Sequence, residues 1–495
     1  MNARLFKETR DLLPIFAGTL PLIVMPQLIW PPAGFGYVAL AVACVLMAGS
    51  SFGSEFQHRT LSLLLAQPIA RSVLWREKML VLGAGMLASL AALLICLAVR
   101  RPEIGGQNLA ALALIPLCAF CGAPFFTLSL RQGIAGIVAA VAAPCGILAV
   151  VALGAQLLGV ELTDPLFAVC LVLLLIYCAL VYWLGYAKFK RLEDVDWHSP
   201  ELSLPAGLEA FFVPPLTRAC SGFRGPFATL LKKEFRLQQI SFLLAGLFPL
   251  VAVAGAGLIA RYPRLGEGIV AVDCAIYVII LPLIAGATAL GEEKGWGIAE
   301  WHLTLPVSAL KQWSAKMLVT LSTSLVLGLA LPVATFLAGA ALFGQLGGKG
   351  SFPSAPELLI WPLSSLLLTS IAVYAASISN NTLRAILAAF GIVAAGCAAC
   401  FLTGAGAIYA VHHLASPIHF SSPDATLITQ LIVAGLFCLL CLVQWLAWSN
   451  FQGSGVSALE IVSQLAFMLF SVAFITLGLL AALFLLTFNI FPRAL

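Results

Sequence analysis

Two carboxylates and two lysines recur at one spacing in distant parts of this chain. Glu55 is followed 23 residues later by Lys78, and Glu293 by Lys316 at the same interval. Charged residues make up only 9% of the sequence, so an acid and a base repeated in register stand out. Other reactive side chains offer less. Three C-x-x-C pairs occur, Cys118/Cys121, Cys397/Cys400 and Cys438/Cys441, each among Ala, Leu and Phe. A zinc or redox site needs polar surroundings and a second ligand pair, so these read as small apolar packing residues. His412, His413, His419 and Asp424 fall in one segment, but their spacing fits no metal frame. The glycine-rich stretch Gly347-Gly348-Lys349-Gly350 lacks the Ser or Thr that a phosphate loop places after its lysine. Neither H-E-x-x-H nor G-x-S-x-G is present. No catalytic residue and no metal site is expected. An ionisable residue inside an apolar span is a functional candidate, and Asp273 is the best example, either in the substrate path or at the outer rim of its span.

The elements that carry these residues are set by composition. Hydrophobic residues make up 61% of the 495, and mean hydropathy is +1.05. A soluble surface needs about 25% charged residues, and disorder needs low hydrophobicity. Soluble enzymes and nucleic-acid binders are therefore excluded. The chain is expected to be an all-α polytopic membrane protein. A bilayer core takes about 20 apolar residues per helix. Such runs lie near 12–30, 36–54, 79–99, 108–129, 133–158 and 163–186, then near 240–260, 268–290, 317–343, 357–378, 383–411 and 425–448. These are twelve transmembrane helices, and the charge-free run 461–491 supplies a thirteenth. Pro14, Pro21 and Pro26 predict a kinked or partly broken first span.

With the N-terminus inside, 20 of the 26 Lys and Arg residues fall in inside segments and 6 outside. The positive-inside rule then places the N-terminus in the cytoplasm and the protein in the inner, or cytoplasmic, membrane. No cleavable signal peptide is expected, since no small-residue cleavage site follows Arg4, Lys7 and Arg10. The longest polar piece, 187–239, is divided by Pro200, Pro205, Pro214 and Pro215 and reads as an extended cytoplasmic linker. It is too short for an independent catalytic domain.

The acid–base pairs belong to an internal repeat. Residues 53–81 and 291–319 share nine identities in 29 positions, at an offset of 238. The matches include Gly53/Gly291, Glu55/Glu293, Pro68/Pro306, Trp75/Trp313 and Lys78/Lys316. Upstream, Lys7, Glu8 and Arg10 match Lys233, Glu234 and Arg236. The chain thus divides into a first six-span half (1–190), a linker (191–225), a second six-span half (226–450) and an appended C-terminal helix (451–495). Each repeated element lies between the second and third spans of its half. An apolar stretch ends at Pro68, and a short basic helix then runs through Arg71, Trp75, Arg76 and Lys78. That pattern predicts a helical hairpin at the membrane surface. Taken once it would be a surface anchor, with Trp at headgroup level; seen twice with the same Glu and Pro, it points to docking of a cytoplasmic partner. Upstream of the seventh span, Pro226 can open a helix in which Phe227, Leu230, Leu231 and Phe235 share a face.

These residues resemble the ABC-2-type permeases of ATP-binding-cassette transporters, here with two halves fused in one chain. The resemblance implies coupling hairpins that dock on an ATPase. Their residues would be Glu55, Arg59, Pro68, Arg71, Trp75, Arg76 and Lys78, with Glu293, Pro306, Lys311, Trp313 and Lys316 in the second copy. It further implies amphipathic connecting helices at Lys7, Glu8 and Arg10 and at Lys233, Glu234 and Arg236. The chain would be the permease subunit of an exporter, moving an unidentified substrate. It would not be an enzyme and would carry no cofactor. A separate cytoplasmic ATPase, in two copies, would bind ATP and Mg. Two other classes make different demands. A proton- or ion-coupled secondary transporter needs matched mid-membrane carboxylates, and an intramembrane lipid-modifying enzyme needs a polar constellation at one depth; neither pattern is visible.

Overall fold

A computed structural model of the chain describes residues 3–29, 35–57, 60–100, 106–130, 133–157, 164–192, 226–259, 263–295, 297, 307–342, 357–414, 425–453 and 456–487. Almost all of these are helical, and none lies in a strand. Nine of the described helices are long and apolar enough to cross a membrane. The linker at 193–225 lies outside the described residues.

In chain order the helices are α1 (Ala3–Ile29), α2 (Phe35–Gln57), α3 (Leu61–Leu65), α4 (Arg71–Arg100), α5 (Gly106–Leu130), α6 (Gly133–Leu157) and α7 (Asp164–Arg191). There follow α8 (Pro226–Leu237), α9 (Gln239–Ile259), α10 (Pro263–Gly295), α11 (Ala309–Leu325), α12 (Leu331–Leu342), α13 (Glu357–Ile378), α14 (Thr382–Leu414), α15 (Ala425–Gln452) and α16 (Ala458–Thr487). α1 runs unbroken through Pro14, Pro21 and Pro26, so of the kinked or partly broken span expected there the break does not occur. Membrane helices tolerate proline because neighbours and side chains satisfy the freed carbonyls. Between α11 and α12 the helix widens into a π turn, Val326–Ala330. Pro332 follows directly; it has no N–H to give Gly328, and the wider turn relieves the clash of its ring with that carbonyl.

The chain forms two compact units: Met1–Leu281 with Ala330–Gly347, and Pro282–Leu329 with Gly348–Leu495. In the first, α5 packs on α2, α6 and α7, while α1 packs on α2 and α4. In the second, α13 packs on α11, α14 and α15, and α16 packs on α14 and α15. The packed face of α13 is polar. Thr369 donates to Ser324 at 2.7 Å, Gln444 to Ser370 at 2.7 Å, and Asn450 to Ser377 at 3.1 Å. Gln464 of α16 donates to Asn450 at 2.8 Å and accepts from Tyr374 at 3.1 Å. The charge-free C-terminal run is therefore a helix tied into its unit by hydrogen bonds. α16 opens on a reciprocal cap: Ser457 N–H donates to the Glu460 carboxylate, and Glu460 N–H to the Ser457 hydroxyl.

The described cysteines are free thiols. Cys118 and Cys121 of α5 cluster with Cys178 of α7 in an apolar core, as the packing role requires. Cys397, Cys400, Cys438 and Cys441 instead lie exposed on α14 and α15, because hydropathy does not separate a buried apolar face from a lipid-facing one.

Candidate functional site

The repeated segment begins where α2 ends. Its last turns bring Gly53 against the start of α6, so close that a Cβ on Gly53 would sit 2.9 Å from the Gly133 Cα. The matched Gly291, near the end of α10, lies against the start of α14; a Cβ there would be 2.6 Å from the Thr382 Cα. Only glycine permits either approach. Asn381 caps α14 at that crossing, accepting the Arg384 N–H at 2.8 Å.

One half-turn beyond each glycine stands the repeated glutamate. In the first unit Lys78 Nζ donates to Glu55 Oε1 at 3.3 Å, to the Ser51 carbonyl at 3.2 Å and to Glu8 Oε2 at 2.7 Å. In the second, Lys316 Nζ donates to Glu293 Oε1 at 2.7 Å and to the Ala289 carbonyl at 3.1 Å. Ser51 and Ala289 are matched positions at the repeat offset, so both lysines find the same carboxylate and the same backbone oxygen. Glu55, Lys78, Glu293 and Lys316 are 3, 2, 2 and 2% exposed. Burying an ion pair gains little net stability, but breaking one strands a charge at a cost of about 3–5 kcal/mol. Each clasp ties the end of one helix to the start of the next membrane helix. In the first clasp Lys7 also reaches Glu55 at 3.3 Å, and the Thr60 hydroxyl donates to Glu55.

Between the two arms of the first clasp lies the loop itself. α3 buries Leu61 and Leu64, and the chain turns at Gln67–Ile69 with Pro68 exposed. The Ala70 carbonyl then accepts the N–H groups of Val73 and Leu74, opening α4. At the matched position, the Ser308 carbonyl accepts those of Lys311 and Gln312, opening α11. The repeated tryptophans follow. Trp75 is enclosed by Phe52, Tyr182, Tyr186 and Phe189, and its Nε1 donates to the Tyr182 hydroxyl at 3.2 Å. Trp313 packs on Trp448 and Phe451 of α15, at ring separations of 5.6 and 5.2 Å.

The sequence-derived residues thus fall into two groups. Glu55, Trp75, Lys78, Glu293, Trp313 and Lys316 are buried. Pro68, Arg76 and Lys311 are exposed, and half-buried Arg71 donates to the Lys190 carbonyl at 2.6 Å. Arg59 and Pro306 lie outside the described residues. Of the connecting stretches, Glu8 and Glu234 are buried while Lys7, Arg10 and Arg236 are exposed. Lys233 sits 3.6 Å from Glu234. α8 starts at Pro226; Ala228, Glu234 and Leu237 face the protein, and Phe227 is exposed. Asp273 belongs to α10, but its side chain is outside the described set, as are those of His412 and His413. His419 and Asp424 lie outside the described residues altogether. Among the described residues, no group of three or more His, Cys, Asp or Glu is placed to hold a metal ion.

Sequence reasoning missed Glu8 as the second carboxylate on Lys78, and Tyr182 as the partner of Trp75. The match of Glu8 to Glu234 was the available signal for the first; nothing local points to the second. No family model, curated protein or solved structure matches the chain.

Proposed function

We propose that the chain is the transmembrane subunit of an ATP-driven transporter of the ABC-2 permease kind, an exporter of an unidentified substrate. Its layout would be two tandem six-helix repeats. The first comprises α1, α2, α4, α5, α6 and α7. The second comprises α9, α10, α11 with α12, α13, α14 and α15, and α16 is a thirteenth span. The N-terminus and the clasped connections would face the cytoplasm from the inner membrane. ATP and Mg would be bound by a separate ATPase in two copies, one at each connection.

One observation carries this reading: the same buried Glu–Lys pair, on the same backbone carbonyl, anchors the α2–α4 connection and the α10–α11 connection. A loop meant only to join two spans needs no buried ion pair at its root. A loop that must deliver a push to two helices does, because a rigid base converts displacement of the tip into movement of the helices it joins. Two such bases suit a partner that is itself a dimer.

The test is purification of the tagged chain from its native membrane. Recovery of an ATPase at two copies per chain, with no ATP hydrolysis by the chain alone, supports the reading. Hydrolysis by the isolated chain, or no ATPase at stoichiometric level, overturns it. Reporter fusions at 195 and 349 should fall on opposite sides of the membrane.

A further inference from the structure

The end of α7 and the start of α4 bring cations together from two helices. Lys188, Lys190 and Arg191 occupy the last turn of α7, and all three are exposed. Arg71, the first residue of α4, donates its Nη1 to the Lys190 carbonyl at 2.6 Å. That bond fixes the two helix ends at one depth and satisfies an orphan C-terminal carbonyl. It uses one guanidinium donor of five and leaves the others for an anion. Lys190 Nζ lies 5.4 Å from the centroid of the Tyr186 ring, and one turn deeper Trp183 is 62% exposed on the outer face of α7. An exposed Trp, then a Tyr, then Lys and Arg is the order of side chains that spans the headgroup layer of a bilayer.

Elsewhere in this unit cations meet carboxylates: Arg4 with Glu77, Lys7 with Glu55, Lys78 with Glu8 and Glu55. Among the described residues, no carboxylate pairs with Arg71, Lys190 or Arg191. The helix dipole favours cations at the end of α7, but only by about 0.3–1 kcal/mol each, and it does not draw a further one from α4.

We infer that Arg71, Lys190 and Arg191 form a binding site for the phosphate headgroup of an anionic phospholipid, with Trp183 against its acyl chains. Arg71 offers the planar fork that matches a phosphate, and Lys190 and Arg191 add charge from the facing helix end. The lipid bridges α4 and α7 at the foot of the first clasp, and Arg71 is then engaged with lipid and not with a protein partner. Glu193, Asp194 and Asp196 follow in the sequence outside the described residues, and the experiment separates their effect from that of lipid.

The full chain is reconstituted in nanodiscs of phosphatidylcholine, with and without phosphatidylglycerol, and retained lipid and thermal unfolding are followed. Phosphatidylglycerol should be retained and should raise the unfolding temperature. Lys190→Gln with Arg191→Gln should weaken retention roughly twenty-five-fold, at about fivefold per cation, and Arg71→Gln should weaken it severalfold. Lys311→Gln, a lost cation elsewhere, should leave it unchanged. Equal retention in the Lys190/Arg191 variant would overturn the site. So would the same stabilisation from inorganic phosphate in pure phosphatidylcholine. Appearance of the lipid effect only when Glu193, Asp194 and Asp196 are neutralised would also overturn it, by assigning the cations to the chain's own acids.

Discussion

Lys316 reaches Glu293 at 2.7 Å from a position 23 residues further along the chain, with the Ala289 carbonyl as its second acceptor. Lys78 stands in the same relation to Glu55 and Ser51. The recurring pair is thus turned inward, onto the root of each connection, and its exposed neighbours are what a partner would meet.

Lys316→Met should lower stability by about 3–5 kcal/mol, because it leaves the Glu293 carboxylate buried without its cation. Lys78→Met should cost at least as much, since Glu8 and Glu55 both lose it. Exchanging the pair, Glu293→Lys with Lys316→Glu, should recover part of the loss. Thermal unfolding of the three variants in one detergent measures this; an exchange no better than the single change would show that the pair itself contributes nothing.

The glycine crossings make a second demand. At Gly291 an added methyl meets the Thr382 Cα at 2.6 Å, which is backbone and cannot swing away. Gly291→Ala should therefore cost about 1–3 kcal/mol by overpacking. Gly396→Ala on α14, with nothing within 4 Å of an added Cβ, should be neutral or slightly stabilising. Equal unfolding temperatures would mean the α10–α14 approach is looser than described.

Docking at the proposed connections should respond to exposed residues without loss of fold. Arg76→Ala and Lys311→Ala should reduce recovery of a partner ATPase while unfolding temperature stays within a degree or two. Glu55→Ala should lower that temperature and disturb coupling only as a consequence. Full partner recovery in the Arg76/Lys311 double variant would remove these side chains from the interface.

Glu292 gives stability a pH dependence. It is half-buried on α10, two residues beyond the expected span; burial, with the Glu293 carboxylate beside it, pushes its carboxyl up to about 8. A raised acid contributes stability that is complete below its ordinary value near 4.5 and is lost as pH rises through about 8. Lys294, which donates to the Ser377 carbonyl, is pulled down by burial to about 8, so its contribution changes only above that pH. Unfolding temperature should thus fall between pH 5 and 8, and Glu292→Gln should flatten the fall. A slope unchanged in that variant would place its source elsewhere.

Much of this was legible in the residues. Composition and the apolar runs of about 20 residues dictated membrane helices, because a helix of that length spans the bilayer core and closes its backbone hydrogen bonds within one segment. Pro226 marked the start of α8, and the offset of 238 put Glu55 with Glu293 and Lys78 with Lys316 before any helix was placed. Only the tertiary structure decided which way those side chains face. Trp75 and Trp313, expected on hairpins that present a docking surface, are 1 and 8% exposed, while Trp183 is 62% exposed. Hydropathy could not tell them apart, since lipid tails and the inside of a helix bundle are equally apolar. Nor could it bring Glu8 to Lys78 across 70 residues, because helical periodicity fixes neighbours one turn away and leaves the meeting of distant helices to packing.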